Sequence, residues 1–183
     1  MKTKKLAFAG LLIAIGIILP QAFHVFGENI GMMFLPMHIP VFVAGILLGP
    51  YYGVAVGLIV PALNSVITGM PMVPKLYFML FELAAYGAVS GILSRKANIF
   101  VTLLISMLSG RIIYGASLMI GVKLIGFQAP FANSAAFLEG IISGIPGIIL
   151  QLVIIPVLIF PLRKGGFTFD GATKKGSEYI AGK

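Results

Sequence analysis

The sequence contains no cysteine and no tryptophan, and only 10% of its 183 residues are charged. The lack of cysteine excludes disulfides, thiol catalysis and cysteine-ligated metals. Among the charged residues the acidic ones are the fewer, with five Asp and Glu against 13 Lys and Arg. Hydrophobic residues instead make up 59% of the chain, and the mean hydropathy is +1.08. A soluble domain of this length could not bury so much apolar surface, so the composition indicates a protein of the lipid bilayer.

Long apolar runs predict the fold. The second run is short and contains Pro40, so a tilted, kinked or partly re-entrant helix is expected there. The basic start resembles a secretory signal, but no small-residue cleavage site follows it, so it is interpreted as a retained first helix. The expected fold is an all-α integral membrane protein, with a six-helix membrane domain over 1–163 and a flexible basic tail over 164–183. The predicted transmembrane helices are 6–26, 37–49, 51–69, 76–94, 99–126 and 137–162.

The basic residues predict the orientation of these helices. Six spans place both termini on one side of the membrane, and 10 of the 13 Lys and Arg fall on that side. Because positively charged loops are retained in the cytoplasm, both termini are predicted to be cytoplasmic. The net charge of +8 is therefore a topology signal, and no nucleic-acid partner is expected.

Four polar residues interrupt the apolar runs: Asn64, Glu82, Arg111 and Glu139. At 1.5 Å of rise per helical residue, all four fall in the outer half of the bilayer. A charge in hydrocarbon costs at least ~2.5–3.5 kcal/mol, so such residues usually face a bundle interior or a wet cavity. The sequence therefore predicts a polar pocket that opens to the outside.

Glu82 and Arg111 lie at nearly the same predicted depth, so we expect them to pair. One interpretation is a structural ion pair that lets two helices pack. The other is that Arg111 offers its planar guanidinium to a ligand carboxylate or phosphate, while Glu82 fixes its orientation. Asn64 is likewise either a pocket residue or a hydrogen-bonding contact between helices.

Further pocket candidates surround this pair. Tyr86 lies one turn from Glu82, Tyr114 is close to Arg111, and His38 begins the second helix. The predicted substrate-binding residues are Arg111, Glu82, Asn64, His38, Tyr86, Tyr114, Asn133, Lys123 and Glu139.

Two outer loops are expected to cover the pocket. The first, about 21–37, is rich in Met and Phe, which suits an adaptable flap. The last contains Lys123 and Asn133 and is a second candidate lid. Gln151, counted from the start of the last run, falls about 21 Å below the outer face. It is therefore expected to join helices beneath the pocket.

Catalytic patterns are missing from the sequence. It has no HExxH motif, acidic metal cluster, P-loop or plausible Ser/His/Asp set. We therefore expect no enzyme activity, no bound metal and no cofactor. Energy for any active transport would come from another subunit or from an ion gradient.

The stretch Leu35–Gly53 reads Leu-Pro-Met-His-Ile-Pro-Val-Phe-Val-Ala-Gly-Ile-Leu-Leu-Gly-Pro-Tyr-Tyr-Gly. With Gly10–Ala14 and Phe81–Gly87, it resembles the S components of energy-coupling factor (ECF) vitamin transporters, most closely the pantothenate-type members. The resemblance covers nearly all of 5–163. It implies a vitamin captured outside the bacterial plasma membrane and delivered inward with a transmembrane coupling subunit and two ATPases. The family's Ala-x-x-x-Ala docking motif matches Gly10 and Ala14, with Gly at the first position.

The leading hypothesis is thus a subunit that captures pantothenate. An S component for pyridoxine, a thiamin precursor or cobalamin remains an alternative. A self-contained ion-coupled carrier is another, because an intramembrane Glu/Arg pair would also serve it. An integral membrane enzyme acting on lipid is disfavoured by the missing catalytic set.

Overall fold

The regular structure in the computed structural model is entirely α-helical over the residues described, which are 2–25, 27, 33–125, 140 and 142–165, without the side chains of His24, Leu124 and Ile125. Five of the helices are long and apolar enough to cross a membrane, and a further one, His38–Leu48, is shorter, with 11 residues. The expected all-α architecture is confirmed, whereas six complete spans and cytoplasmic termini stay predictions. The six helices in these ranges are α1 (Lys2–His24), α2 (His38–Leu48), α3 (Pro50–Thr68), α4 (Lys75–Leu93), α5 (Ile99–Ile125) and α6 (Ile145–Lys164).

Glycine and proline set the boundaries of α3. Gly49, with φ of 99°, separates α2 from α3, and Pro50 follows as the first helical residue. Proline suits that position because its missing N–H would have no partner within the helix. Gly69 ends α3 in the left-handed conformation, with φ of 75°, and its N–H donates to the Ser65 carbonyl.

A turn at Gly144 interrupts the last predicted helix, since residues 140, 142 and 143 before it are also helical. Gly144 forms a turn and α6 starts at Ile145, whereas the run began at residue 137. Gln151 is six residues into α6, about 9 Å from its start by helical rise. Apolar composition continues through the turn at Gly144 without marking it, and the depth of Gln151 in the membrane stays a prediction.

The helix α2 lies inside the bundle. Every residue from His38 to Leu48 is buried, which accounts for an apolar run without a polar face. α4 packs against α2, α3 and α5, while α1 packs on α2 and α3, and α6 packs on α2 and α5. Large apolar side chains on the outside of the bundle, such as Leu11 and Val66, suit contact with lipid.

Glycines bring α4 unusually close to its neighbours. The backbones of Gly53 in α3 and Gly87 in α4 approach so closely that a Cβ on either would clash with the other. A Cβ at Gly45 in α2 would lie 2.6 Å from the Gly87 carbonyl oxygen. Small residues allow such close helix contacts in membranes. This packing fixes the positions of the polar residues that α4 carries.

Candidate functional site

Glu82 and Arg111 form an ion pair between α4 and α5. The distance from Arg111 Nη1 to Glu82 Oε1 is 3.2 Å, so the predicted pairing is confirmed. The Tyr86 hydroxyl donates to the same oxygen over 2.6 Å. Glu82 and Tyr86 are buried, whereas the Arg111 side chain remains 19% exposed. The carboxylate is thus compensated by two donors inside the bundle, and the guanidinium is its more accessible partner.

The Tyr86 ring is held by residues from two other helices. Its centroid lies 5.4 Å from that of His38 and 5.0 Å from that of Phe42, both on α2. On the α5 side the ring packs against Gly110, where an added Cβ would overlap it. Gly110 was not among the predicted site residues, although its place beside Arg111 was a usable signal. The missing side chain at Gly110 makes room for Tyr86, whose hydroxyl then reaches Glu82.

The Leu35 carbonyl oxygen joins the segment before α2 to α6. It accepts hydrogen bonds from the His38 backbone N–H at 3.1 Å, from His38 Nδ1 at 3.2 Å and from Gln151 Nε2 at 3.3 Å. Leu35 has φ of 49°, a left-handed conformation that is unfavourable for a branched side chain. The three hydrogen bonds oppose relaxation of that conformation. Gln151 therefore lies level with Leu35 and His38 and joins α6 to this segment.

The start of α6 also contacts the site. A Cβ at Gly144 would lie 3.3 Å from Arg111 Nη2, so the guanidinium extends from Glu82 to the turn before α6. A Cβ at Gly147 would lie 2.5 Å from the Met33 carbonyl oxygen. The segment 33–37, before α2, therefore rests on α6, next to the helix turn that Arg111 approaches.

Asn64 joins α1 to α3. Its Nδ2 donates to the carbonyl oxygens of Gly16 and Val60, each at 3.0 Å. This geometry fits the helix-contact alternative for Asn64, and its role in substrate binding stays a prediction. Its Oδ1 is buried and has no hydrogen-bond partner in the part of the chain that the structure describes.

The other predicted site residues are spread along α5 and beyond. Tyr114 meets Phe78 edge to face, with ring centroids 6.3 Å apart. Lys123 is exposed near the end of α5. Asn133 and Glu139 lie outside the described residues. A substrate role for each of these residues stays a prediction.

The predicted docking residues lie on the outside of α1. Gly10 and Ala14 are exposed, and a Cβ at Gly10 would meet no atom within 4 Å. A partner helix has open access to this stripe, since no described residue of the chain covers Gly10.

A buried ion pair inside an apolar helix bundle is typical of a membrane protein that handles a polar small molecule. The family model for the substrate-specific component of ECF transporters matches residues 4–159. The chain belongs to this family. This S component is therefore a multi-pass transport subunit rather than an enzyme, and it works with an ECF module and a small-molecule substrate. No curated protein and no solved structure gives a significant match to it.

Proposed function

We propose that this S component captures pantothenate from outside the bacterial plasma membrane and hands it to an ECF module for ATP-driven import. The observation that carries the proposal is the partly exposed Arg111 guanidinium, which is held at Nη1 by Glu82. A guanidinium binds carboxylates through two parallel N–H groups. Arg111 has such a second edge, since Nη2 faces the turn at Gly144.

Pantothenate matches the chemistry expected around this cation. It carries one carboxylate, two hydroxyls and an amide, so its pocket needs one cation and several neutral hydrogen-bonding groups. Arg111 is the proposed carboxylate partner, with Lys123 nearer the mouth of the pocket. The remaining proposed ligand contacts are His38, Asn64, Glu82, Tyr86, Tyr114, Asn133 and Glu139.

The proposed partners are a transmembrane coupling subunit and two ATPases. We place their docking surface on the first three helices, with Gly10 and Ala14 on α1 in the contact. The exposure of both residues supports this placement. The first outer segment, which rests on α6 through Gly147, is the proposed flap over the substrate.

A comparison of pantothenate with its neutral alcohol analogue, pantothenol, tests the charge-reading role. Isothermal titration of the purified chain is expected to show pantothenol binding about 10–100-fold more weakly, the size of a lost charge-assisted hydrogen bond. Equal affinities would show that Arg111 does not read the carboxylate. A neutral or cationic vitamin, such as pyridoxine or a thiamin precursor, would then be the better candidate, with Glu82 or Glu139 as the group that reads it.

A further inference from the structure

His38 is buried beside the ion pair, and one of its ring nitrogens has no hydrogen-bond partner within the described part of the chain. The residue is only 3% exposed, and its ring lies at a tilted angle against that of Tyr86, whose hydroxyl donates a hydrogen bond to Glu82. Nε2 is buried and has no hydrogen-bond partner among residues 2–25, 27, 33–125, 140 and 142–165. A buried polar atom without a partner is costly, so its retention calls for an explanation.

The Leu35 carbonyl determines which nitrogen of His38 carries the proton. A carbonyl oxygen only accepts, so Nδ1, at 3.2 Å from it, must be the donor. In a neutral imidazole with the proton on Nδ1, Nε2 is an acceptor. Gln151 on α6 donates a hydrogen bond to the same carbonyl oxygen, which helps to hold that oxygen in place. The backbone before α2 thus presents an imidazole acceptor inside the bundle.

From this geometry we infer that His38 Nε2 accepts a hydrogen bond from a hydroxyl or amide N–H of the bound substrate. The inference rests on the proposed capture function and adds a second recognition element to it. Arg111 would bind an anionic group of the substrate. His38, which lies directly behind the segment 33–37 in the chain, would bind a hydrogen-bond donor on the same molecule. A site built to hydrogen-bond a donor discriminates strongly against an analogue that lacks it, because the buried acceptor is then left unpaired.

Two isosteric substitutions separate the two ring nitrogens. Asn in His38→Asn places an N–H donor near the position of Nδ1, so the bond to Leu35 is kept while the Nε2 acceptor is lost. Gln in His38→Gln places an amide oxygen near the position of Nε2, so the acceptor is kept while the bond to Leu35 is lost. H38N is expected to weaken pantothenate binding about tenfold, and H38Q to weaken it less.

Nitrogen-15 NMR of the full chain in lipid nanodiscs observes the acceptor directly. The chain has two histidines, so the variant His24→Gln leaves only the His38 signals. In the ligand-free protein the proton is expected on Nδ1, with Nε2 unprotonated. Pantothenate should move the Nε2 resonance upfield, as acceptance of a hydrogen bond does. Analogues of pantothenate that lack either hydroxyl identify the donor, because one of them should leave the resonance in place if a hydroxyl is bound.

The outcomes distinguish this inference from the capture function. Pantothenate binding with an unchanged Nε2 resonance, or a proton found on Nε2 before ligand is added, would overturn the role of His38 and leave the capture function standing. Equal affinities of H38N and the unaltered chain would do the same. If pantothenate gives no heat, pyridoxine and hydroxyethylthiazole, both of which carry hydroxyls, replace it as probes. Absence of heat with all three would refute the capture function and this inference together.

Discussion

At the residue scale, one carboxylate oxygen organises the site. Oε1 of Glu82 receives the Arg111 guanidinium and the Tyr86 hydroxyl, so the charge of Glu82 is compensated from two helices. Removing one member of a buried pair leaves the other charge uncompensated, and that loss exceeds the net value of the pair. Substitutions here therefore report on packing and on ligand recognition at once, and the two effects must be separated.

Replacement of Arg111 by Ala is expected to cost binding of pantothenate about 2–5 kcal/mol, because it removes the carboxylate partner and strands Glu82. Glu82→Gln keeps the cation and removes only its internal partner, so it should weaken binding less. Titration calorimetry of both variants gives the comparison. Lys96→Ala removes an exposed cation in the turn between α4 and α5 and serves as the control. A larger loss in Glu82→Gln than in Arg111→Ala would favour a purely structural ion pair.

Gly110→Ala tests whether Tyr86 positions the carboxylate. An added Cβ would overlap the Tyr86 ring, so we expect the ring to shift and its hydroxyl to lose the hydrogen bond to Glu82. We expect a loss of stability of about 1–3 kcal/mol, typical of overpacking, and weaker binding of pantothenate. Ala116→Val adds methyl groups at an exposed position of α5 and should change neither thermal unfolding nor binding. Unaltered binding in Gly110→Ala would show that Tyr86 has no positioning role.

At the element scale, close packing of α4 carries the site. Glu82 and Tyr86 lie on α4, whose Gly87 backbone approaches Gly53 of α3 and Gly45 of α2. Apolar burial cannot drive helix association in lipid, so van der Waals contact between small residues does much of that work. The same contacts set the distance between α2 and α4, which determines how His38 meets Tyr86.

Gly87→Ala is expected to destabilise the bundle by about 1–3 kcal/mol, because the new methyl group would meet the Gly53 backbone, which cannot move aside cheaply. Gly10→Ala introduces the same methyl group into open space on α1. Since Ala favours a helix over Gly, this control should be neutral or slightly stabilising. Thermal unfolding of the two purified variants measures the difference. A Gly87→Ala variant as stable as its control would mean that the α3–α4 contact is readily adjusted.

At the scale of the whole molecule, membership of the family implies association with an ECF module, and the exposed small residues of α1 are the proposed contact surface. α1 exposes Gly10 and Ala14 on the outside of the bundle, whereas the buried ion pair joins α4 to α5. Recognition of substrate and coupling to energy would then use different parts of the chain. Such a separation predicts that each function is lost by different substitutions.

Gly10→Leu and Ala14→Leu are expected to abolish uptake of pantothenate by the reconstituted complex and to leave binding by the isolated chain intact, because bulky side chains hold apart backbones that small residues let approach. Ala116→Leu makes the same kind of change on the exposed face of α5 and should leave uptake unaffected. Liposomes containing this chain alone should accumulate nothing, even under a sodium or proton gradient. Normal uptake by both α1 variants would place the contact elsewhere, and uptake by the chain alone would support an ion-coupled carrier.

Much of the fold and part of the site follow from the sequence alone. Apolar runs long enough to cross a bilayer predicted the helices, because a helix satisfies the backbone hydrogen bonds of such a run within hydrocarbon. Two opposite charges at one depth predicted the pair of Glu82 and Arg111, because compensation is the least costly state of either charge in hydrocarbon. Helical rise gives depth along an axis, and depth was enough for that pairing.

Rotation of each helix about its axis and the choice of neighbours were decided only by the tertiary structure. The Leu35 carbonyl accepts from the nearby His38 and from Gln151, which lies 116 residues away in sequence on α6. The space for Tyr86 is the missing side chain of Gly110, on another helix. Composition does not predict these contacts between helices, because a polar or small residue inside a helix acquires its partner only when the helices pack.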